Sequence, residues 1–387
     1  MIRVEAIKIK DLLAFSQKVI ANAQPGEFIP ITMQRAEAHV ANPNAAPDNI
    51  ALLVAYNGDE LVGYFGILPI LLRHGREISK VHWFTTWMVN PNLRGAGVGS
   101  ALMQAALDLE MDYLIVGSKP ARRVCQKFGF FEFQPLQYAV IDFRIIGRFN
   151  PISILLRTVR KIATLARMQI EIRNVNQAIE AAFEGIFGFA GKRLAYSLLL
   201  AYTMDLPPDL VLRQVQQITP LNGAEEKTRQ AGFYRSVDVV NWMLAYPWVL
   251  QPGESVTEAL DFYFTDTRAE FQFLAYQLYQ SEQNQGYVTF QHSQIGGQRV
   301  LKTLDHSLVD DDWLLPIALQ IAQQQHAAML EINTQNARSL LETRVGRSLL
   351  HVKQRIYQGH AYSDMSPLGQ HWRDIRLEYI DGDTPFT

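Results

Sequence analysis

The sequence predicts an α+β protein built from two modules, each with a mixed sheet flanked by helices. Three observations carry this. Antiparallel strand patterns separated by tight turns occupy residues 50–89. A glycine-rich loop at 94–99 then opens a helix. The order hairpin–helix–strand–helix–strand that runs from 50 to 143 recurs in the second half without a direct sequence repeat. At 387 residues the chain also exceeds what one core usually supports.

Taken in order, residues 2–8 alternate apolar and polar like a strand, and 11–23 read as a helix with Asp11 as N-cap. The first ten residues lack a continuous apolar run and do not read as a signal peptide. A helix is expected over 33–40. Strand 50–56 enters the turn Asn57-Gly58-Asp59, where Asn and Gly tolerate positive φ. The return strand 61–72 and the turn His74-Gly75-Arg76 lead to a strand over 81–89 that ends at Pro91. Leu102, Ala105, Ala106 and Leu109 give the helix after the loop one apolar face. A short apolar strand at 113–116 follows, then a helix with Ser118 as N-cap, Pro120 in its first turn and Gly129 as a left-handed cap.

From 144 to 173 seven basic residues face a single acid, Glu171. Ile152, Leu155, Leu156, Val159 and Ile162 share a stripe there, so 148–167 reads as a linker helix or as an element docking on an anionic membrane surface. Helices are expected to run on to about Ile218, with a break at Pro207-Pro208. After Asn222-Gly223, strands are expected at 286–291, 299–309, 328–332 and 348–357, and helices at 312–326 and 335–343. The division is therefore 1–145, a basic helical connector 146–223, and 224–387.

Composition excludes some classes. A formal net charge of -2 argues against a globally basic nucleic-acid binder. The single cysteine, Cys125, has no internal disulfide partner, and no Cys/His spacing suggests a metal site, so none is expected. A reducing, cytoplasmic setting is the default for such a chain. The apolar stretch 194–204 falls well short of the ~20 residues a bilayer demands.

The chemistry concentrates at Arg94-Gly95-Ala96-Gly97-Val98-Gly99-Ser100. Glycines at alternate positions let a ligand approach the backbone, and a helix N-terminus offers unpaired N–H groups and a positive dipole end. Together they suit a pyrophosphate. The spacing is not that of the dinucleotide fingerprint, and no Lys-Ser/Thr pair follows as in a P-loop.

The stretch from Trp87 to Leu102 resembles the acetyl-CoA-binding motif of the GNAT superfamily, R-x-x-G-x-G. The hairpin Asn57 to Leu68 is similar to that family's entry into its central strands, and Ala121 to Phe130 to its last motif. The resemblance covers about residues 2–143. It implies an acyltransferase with acetyl-CoA, or another acyl-CoA, wedged between two splayed strands. Backbone groups of Trp87 and Val89 would hold the pantetheine and amides of 95–100 the pyrophosphate. A small-molecule amine, such as an amino sugar of a surface glycan, would attack the thioester.

The chain departs from the family at its catalytic positions. Thr85 and Thr86 stand where an acid is common, Cys125 where a tyrosine protonates the leaving thiolate, and Ser118 where an asparagine is frequent. Cys125 is thus a candidate proton donor or a buried packing residue, and His82 a candidate base on the same strand.

In the second half Asp310-Asp311-Asp312 replaces the loop and would repel a pyrophosphate. The segments 233–242 and 381–386 look similar to second halves of tandem acetyltransferases associated with bacterial surface-polysaccharide assembly. Asp305, His306, Trp242, Tyr246 and Trp248 are either a sugar-binding wall or core. Besides an N-acetyltransferase, a Fem-like aminoacyltransferase and a non-catalytic acyl-CoA-binding sensor or scaffold remain open.

Overall fold

The computed structural model describes residues 2–93, 95–144, 192–201, 203–221, 231–257 and 259–383. The basic stretch 148–167 and most of the 146–223 connector lie outside them. No helix among the described residues is long and apolar enough to cross a membrane.

The first half opens with β1 (Ile2–Lys8), α1 (Ile9–Asn22) and α2 (Met33–Val40). Helix α1 begins two residues before Asp11, and its N-cap, Lys8, makes no side-chain cap bond. Strand β2 (Ile50–Asn57) is apolar on both sides because both sides are covered. Leu52 and Val54 pack toward α1 and α2, Leu53 and Ala55 toward α3 (Val98–Leu107). The long hairpin β3 (Glu60–His74) and β4 (Glu77–Val89) is broken once. Phe65 pairs with Trp87 but Ile67 with Phe84, so Gly66 alone opposes Thr85 and Thr86. A side chain at Gly66 would collide with the Thr85 hydroxyl. Strand β5 (Tyr113–Ile115), α4 (Lys119–Lys127), β6 (Phe131–Glu132) and β7 (Leu136–Asp142) complete this half. Ser118 does cap α4, accepting from Ala121 N at 3.4 Å, and Gly129 is left-handed at φ 83°.

The second half begins with a helical stretch at 192–200. Where helix was expected to continue to Ile218, the chain past the two prolines forms β8 (Leu210–Val215). Then come β9 (Ala231–Tyr234), α5 (Val237–Ala245), β10 (Phe271–Gln280), β11 (Gln283–Ile295), β12 (Gln298–Leu308) and α6 (Leu314–Gln324). Strand β10 has no counterpart in the sequence reading. After β13 (Met329–Asn333) the expected helix 335–343 is a 3-10 turn followed by short α7 (Arg338–Leu341). Helix α8 (Arg344–Leu349), β14 (Leu350–Arg355), β15 (Gln358–His360) and α9 (Pro367–His371) follow.

Two mixed sheets result. The first runs β1-β2-β3-β4-β5-β15-β6, with β9 added alongside the far end of β3. The second runs β14-β7-β13-β12-β11-β10-β8. The halves therefore exchange strands. β7 lies between β13 and β14, with Ile141 opposite Leu330 on one side and Leu350 on the other. β15 lies between β5 and β6, with Gly359 opposite Leu114 and Phe131. A chain cut at 145 follows sequence order and not the sheets, because each sheet closes only with a strand from the other half.

Helix α6 is buried nearly all round, between the second sheet and the stretch 192–200. Tyr196 ties the two by donating to the Ala327 carbonyl at 2.6 Å. Between the sheets lies an aromatic seam that includes Trp83, Phe233, Trp242, Trp248 and Tyr357. Trp83 meets Phe233 and Tyr357 edge-on at 5.7 and 5.8 Å. Arg235 crosses the seam, bonding Asp381 at 2.6 Å and Glu378 at 2.8 Å and lying 3.4 Å from Asp305. Breaking such a buried network by removing one partner costs about 3–5 kcal/mol.

Candidate functional site

The site begins where β4 and β5 stop pairing. They run parallel through His82–Tyr113, Trp83–Leu114 and Phe84–Ile115 and share no further pairs. Beyond Phe84, β4 keeps β3 on one side, with Trp87 opposite Phe65 and Val89 opposite Gly63, and among the described residues no strand pairs with its other side. The bulge at Thr85-Thr86 follows directly on the last β4–β5 pair, Phe84–Ile115, and so falls at the mouth of this opening.

At the end of β4 a 3-10 turn, Pro91–Leu93, leads into the glycine loop. Gly95 and Gly97 take φ of 90° and 83°, a region that penalises a side chain. Gly97 is the N-cap of α3, and its carbonyl accepts from Ala101 N at 2.9 Å. The amides of Val98, Gly99 and Ser100 precede the first intrahelical bond, and the first turn carries no acid. Gly95, Ala96, Gly97 and Ser100 are exposed, whereas Val98 is buried and anchors the turn. Gly63 allows this close approach, since a Cβ there would stand 3.0 Å from Val98 Cγ1. The side chains of Trp87 and Val89 lie beneath the start of α3, both 3.5 Å from the Cβ position of Gly99. Trp87 is braced by Phe65, with ring centroids 5.0 Å apart.

The structure thus brings Trp87, Val89, Gly95, Ala96, Gly97, Val98, Gly99 and Ser100 to one edge. Arg94 lies outside the described residues. An open strand edge followed by a left-handed glycine turn and a bare helix N-terminus fits a pantetheine arm ending in a pyrophosphate.

The two catalytic candidates fall elsewhere. Cys125 is fully buried in the apolar cluster with Val98, Leu102, Ile115 and Phe130, and burial pushes its thiol up to about 12. That is the packing reading, because a thiol so reluctant to ionise makes a poor acid. His82 sits in the paired part of β4, before the opening, 6.0 Å from the Tyr113 ring. Burial first, then Lys80, lowers it to about 4, so it is a neutral imidazole.

The proposed sugar wall is mostly committed to packing. Trp242 donates to the Ala38 carbonyl at 2.8 Å. Trp248 is fully buried, stacked on His39 with the Arg35 guanidinium 4.7 Å from its ring. Asp305 accepts from Tyr287 at 2.8 Å, His306 lies 3.9 Å from Asp311, and only Tyr246 is exposed.

The segment 381–383, noted in the sequence only for its resemblance to tandem acetyltransferases, packs against the first sheet. Gly382, at φ 88°, lies so close to the Trp83 indole that any side chain would strike the ring. Asp383 follows, and burial raises its carboxyl to about 6 against the pull of Arg35, Arg355 and Lys302. No local signal announces this contact, because its partners lie at the far end of the chain.

Mixed sheets flanked by helices, with this opening, are the architecture that the GNAT resemblance implies. Residues 20–130 match the family described as Acetyltransferase (GNAT). None of the curated proteins compared matches the chain. Among solved structures, a GCN5-related N-acetyltransferase from Anabaena variabilis ATCC 29413 is 13% identical, with a TM-score of 0.49 over 94% of this chain and 73% of that one. A probable N-acyltransferase of unknown function from Enterococcus faecalis V583 is 11% identical, with a TM-score of 0.48 and the same coverage.

Proposed function

We propose that the chain transfers an acyl group, acetyl in the first instance, from CoA to a primary amine of a small molecule. The observation that carries this reading is the opening between β4 and β5 and its continuity with the exposed start of α3. In this reading the pantetheine pairs with the free edge of β4 at Trp87 and Val89. The pyrophosphate rests on the amides of 95–100. The thioester carbonyl then reaches the bulge at Thr85-Thr86.

A neutral amine attacks the carbonyl carbon, the C–S bond breaks, and the proton released from the new amide nitrogen passes through water to the departing thiolate, leaving an amide and free CoA. Backbone N–H groups at the mouth would stabilise the oxyanion, and the cleft would supply orientation, which together account for most of the rate in such a reaction. The acceptor would enter from the seam, past Trp83 and Gly382. The packing of Trp242 and Trp248 withdraws the main support for an amino sugar, so the acceptor is defined here only as an amine. The loss of an acid at 85–86 and the burial of Cys125 favour, as a second reading, an acyl-CoA-binding sensor without turnover.

Gly97→Trp tests the site. The new side chain meets an unfavourable φ and fills space left to the pyrophosphate, so acetyl-CoA affinity should fall at least about tenfold, equivalent to ~1.4 kcal/mol. Calorimetry on the folded variant reads this directly, and unchanged affinity removes the assignment. Thiol release with a panel of amines separates enzyme from sensor.

A further inference from the structure

Away from the acyl-CoA opening, the tip of the β3–β4 hairpin meets the chain just after α9. We propose that His74, His371 and Asp374 form a binding site for one divalent transition-metal ion, of the zinc class, that fastens the hairpin to the C-terminal segment. One ligand atom from each residue can be chosen so that all three lie within 4.8 Å of one another. His74 Nε2 stands 3.7 Å from the Asp374 carboxylate, and the two imidazole centroids are 3.7 Å apart.

The backbone fixes these positions through one strand. His74 pairs with Ala231 on β9. The other side of β9 holds the C-terminal segment, through a bridge from Gly232 to Arg376 and a bond from Arg376 N to the Ala231 carbonyl at 3.3 Å. The turn carrying the other two ligands is closed by Asp374 N donating to His371 O at 2.9 Å. All three side chains are at least partly exposed, so water and ions reach them.

The chemistry favours one shared dication over separate protons. Two imidazolium rings in face-to-face contact repel, and a single carboxylate neutralises only one of them. Neutral imidazoles instead offer two nitrogen lone pairs beside an anionic oxygen, a donor set suited to Zn²⁺, Ni²⁺ or Cu²⁺ and poor for Mg²⁺ or Ca²⁺. The rings lie within 13° of parallel, so one must turn about its Cβ–Cγ bond to aim at a common point. Partial exposure leaves room for that turn. Closing to the ~2.0–2.1 Å of a zinc–imidazole bond then needs only side-chain rotation, and water completes the tetrahedron. The ligands are far apart in sequence, which is why no spacing motif announces them.

The test uses Zn²⁺ and Co²⁺ on the full chain. Calorimetry should give one saturable Zn²⁺ site per chain, and Zn²⁺ should raise the melting temperature where Mg²⁺ does not. Co²⁺ should give the visible absorption of a tetrahedral site. H74A, H371A and D374N should each fold, and each should lose the site and the thermal shift. A chain with no saturable Zn²⁺ binding, or variants that bind Zn²⁺ as tightly as the parent, would overturn the proposal. Neither readout depends on acyl transfer, so failure here leaves the proposed function standing.

Discussion

At Cys125 two roles compete for one side chain, and burial decides between them. The GNAT resemblance implies a proton-donating tyrosine at this position, yet Cys125 is a buried member of the apolar cluster that holds Leu102, Ile115 and Phe130. Cys125→Ser should therefore leave turnover at saturating acetyl-CoA within about twofold while costing ~1–3 kcal/mol, because the new hydroxyl is buried with a poor choice of partners. Steady-state rates and urea unfolding on the same preparation check both halves of this. A large loss of rate at unchanged stability would return Cys125 to the mechanism. The pH dependence has a definite sign. The folded protein keeps its thiol protonated to about 12, whereas the unfolded chain releases it near 9.0. The stability Cys125 contributes is full below pH 9 and is lost as pH rises toward 12.

Between elements, the exchange of β7 and β15 welds the two halves into one folding unit. Gly359 on β15 shows how tightly the borrowed strand fits, since a Cβ there would lie 2.8 Å from the Phe131 ring and 3.0 Å from Phe133. Gly359→Ala should destabilise the chain by ~1–3 kcal/mol through overpacking. Because each sheet needs the other's strand, far-UV circular dichroism and tryptophan fluorescence should still report one coincident transition in urea. Two separated transitions would mean that the halves fold alone. The same contrast explains what the sequence made legible. The β2–β3–β4 hairpins were readable because Asn57-Gly58 and His74-Gly75 are local turn signals, and the glycine loop because Gly95 and Gly97 take positive φ. Strand β7 was readable as a strand but not as a member of the second sheet, since Tyr138 to Asp142 look alike whichever neighbours they pair with. Strand β8 was lost because two prolines and a short edge strand leave little periodicity to detect. The Gly382–Trp83 contact and the metal-ligand cluster join distant parts of the chain, and no window of sequence contains either.

At the scale of the molecule, the two sheets offer two comparable strand–helix–strand units, and the turn that opens the helix differs between them. In the second, β12 and β13 are parallel over Val300–Met329 to Lys302–Glu331, and α6 connects them as α3 connects β4 to β5. The turn into that helix is of another kind. Asp310 accepts from Asp312 N at 3.0 Å, so the turn satisfies its own amide with a carboxylate. Trp313 is buried immediately behind it, and no residue from 310 to 313 takes a positive φ. Three acids at the helix start oppose a pyrophosphate that Gly95 to Ser100 would welcome. At the end of the paired stretch Tyr379 donates to Glu331 and packs, tilted, against the Tyr138 ring. Titration with a non-hydrolysable CoA thioether should accordingly saturate at one equivalent per chain. Gly97→Trp should abolish that equivalent rather than uncover a second, weaker one. A stoichiometry of two, or residual stoichiometric binding in Gly97→Trp, would show that the acidic turn rearranges and that the second sheet carries a cofactor site of its own.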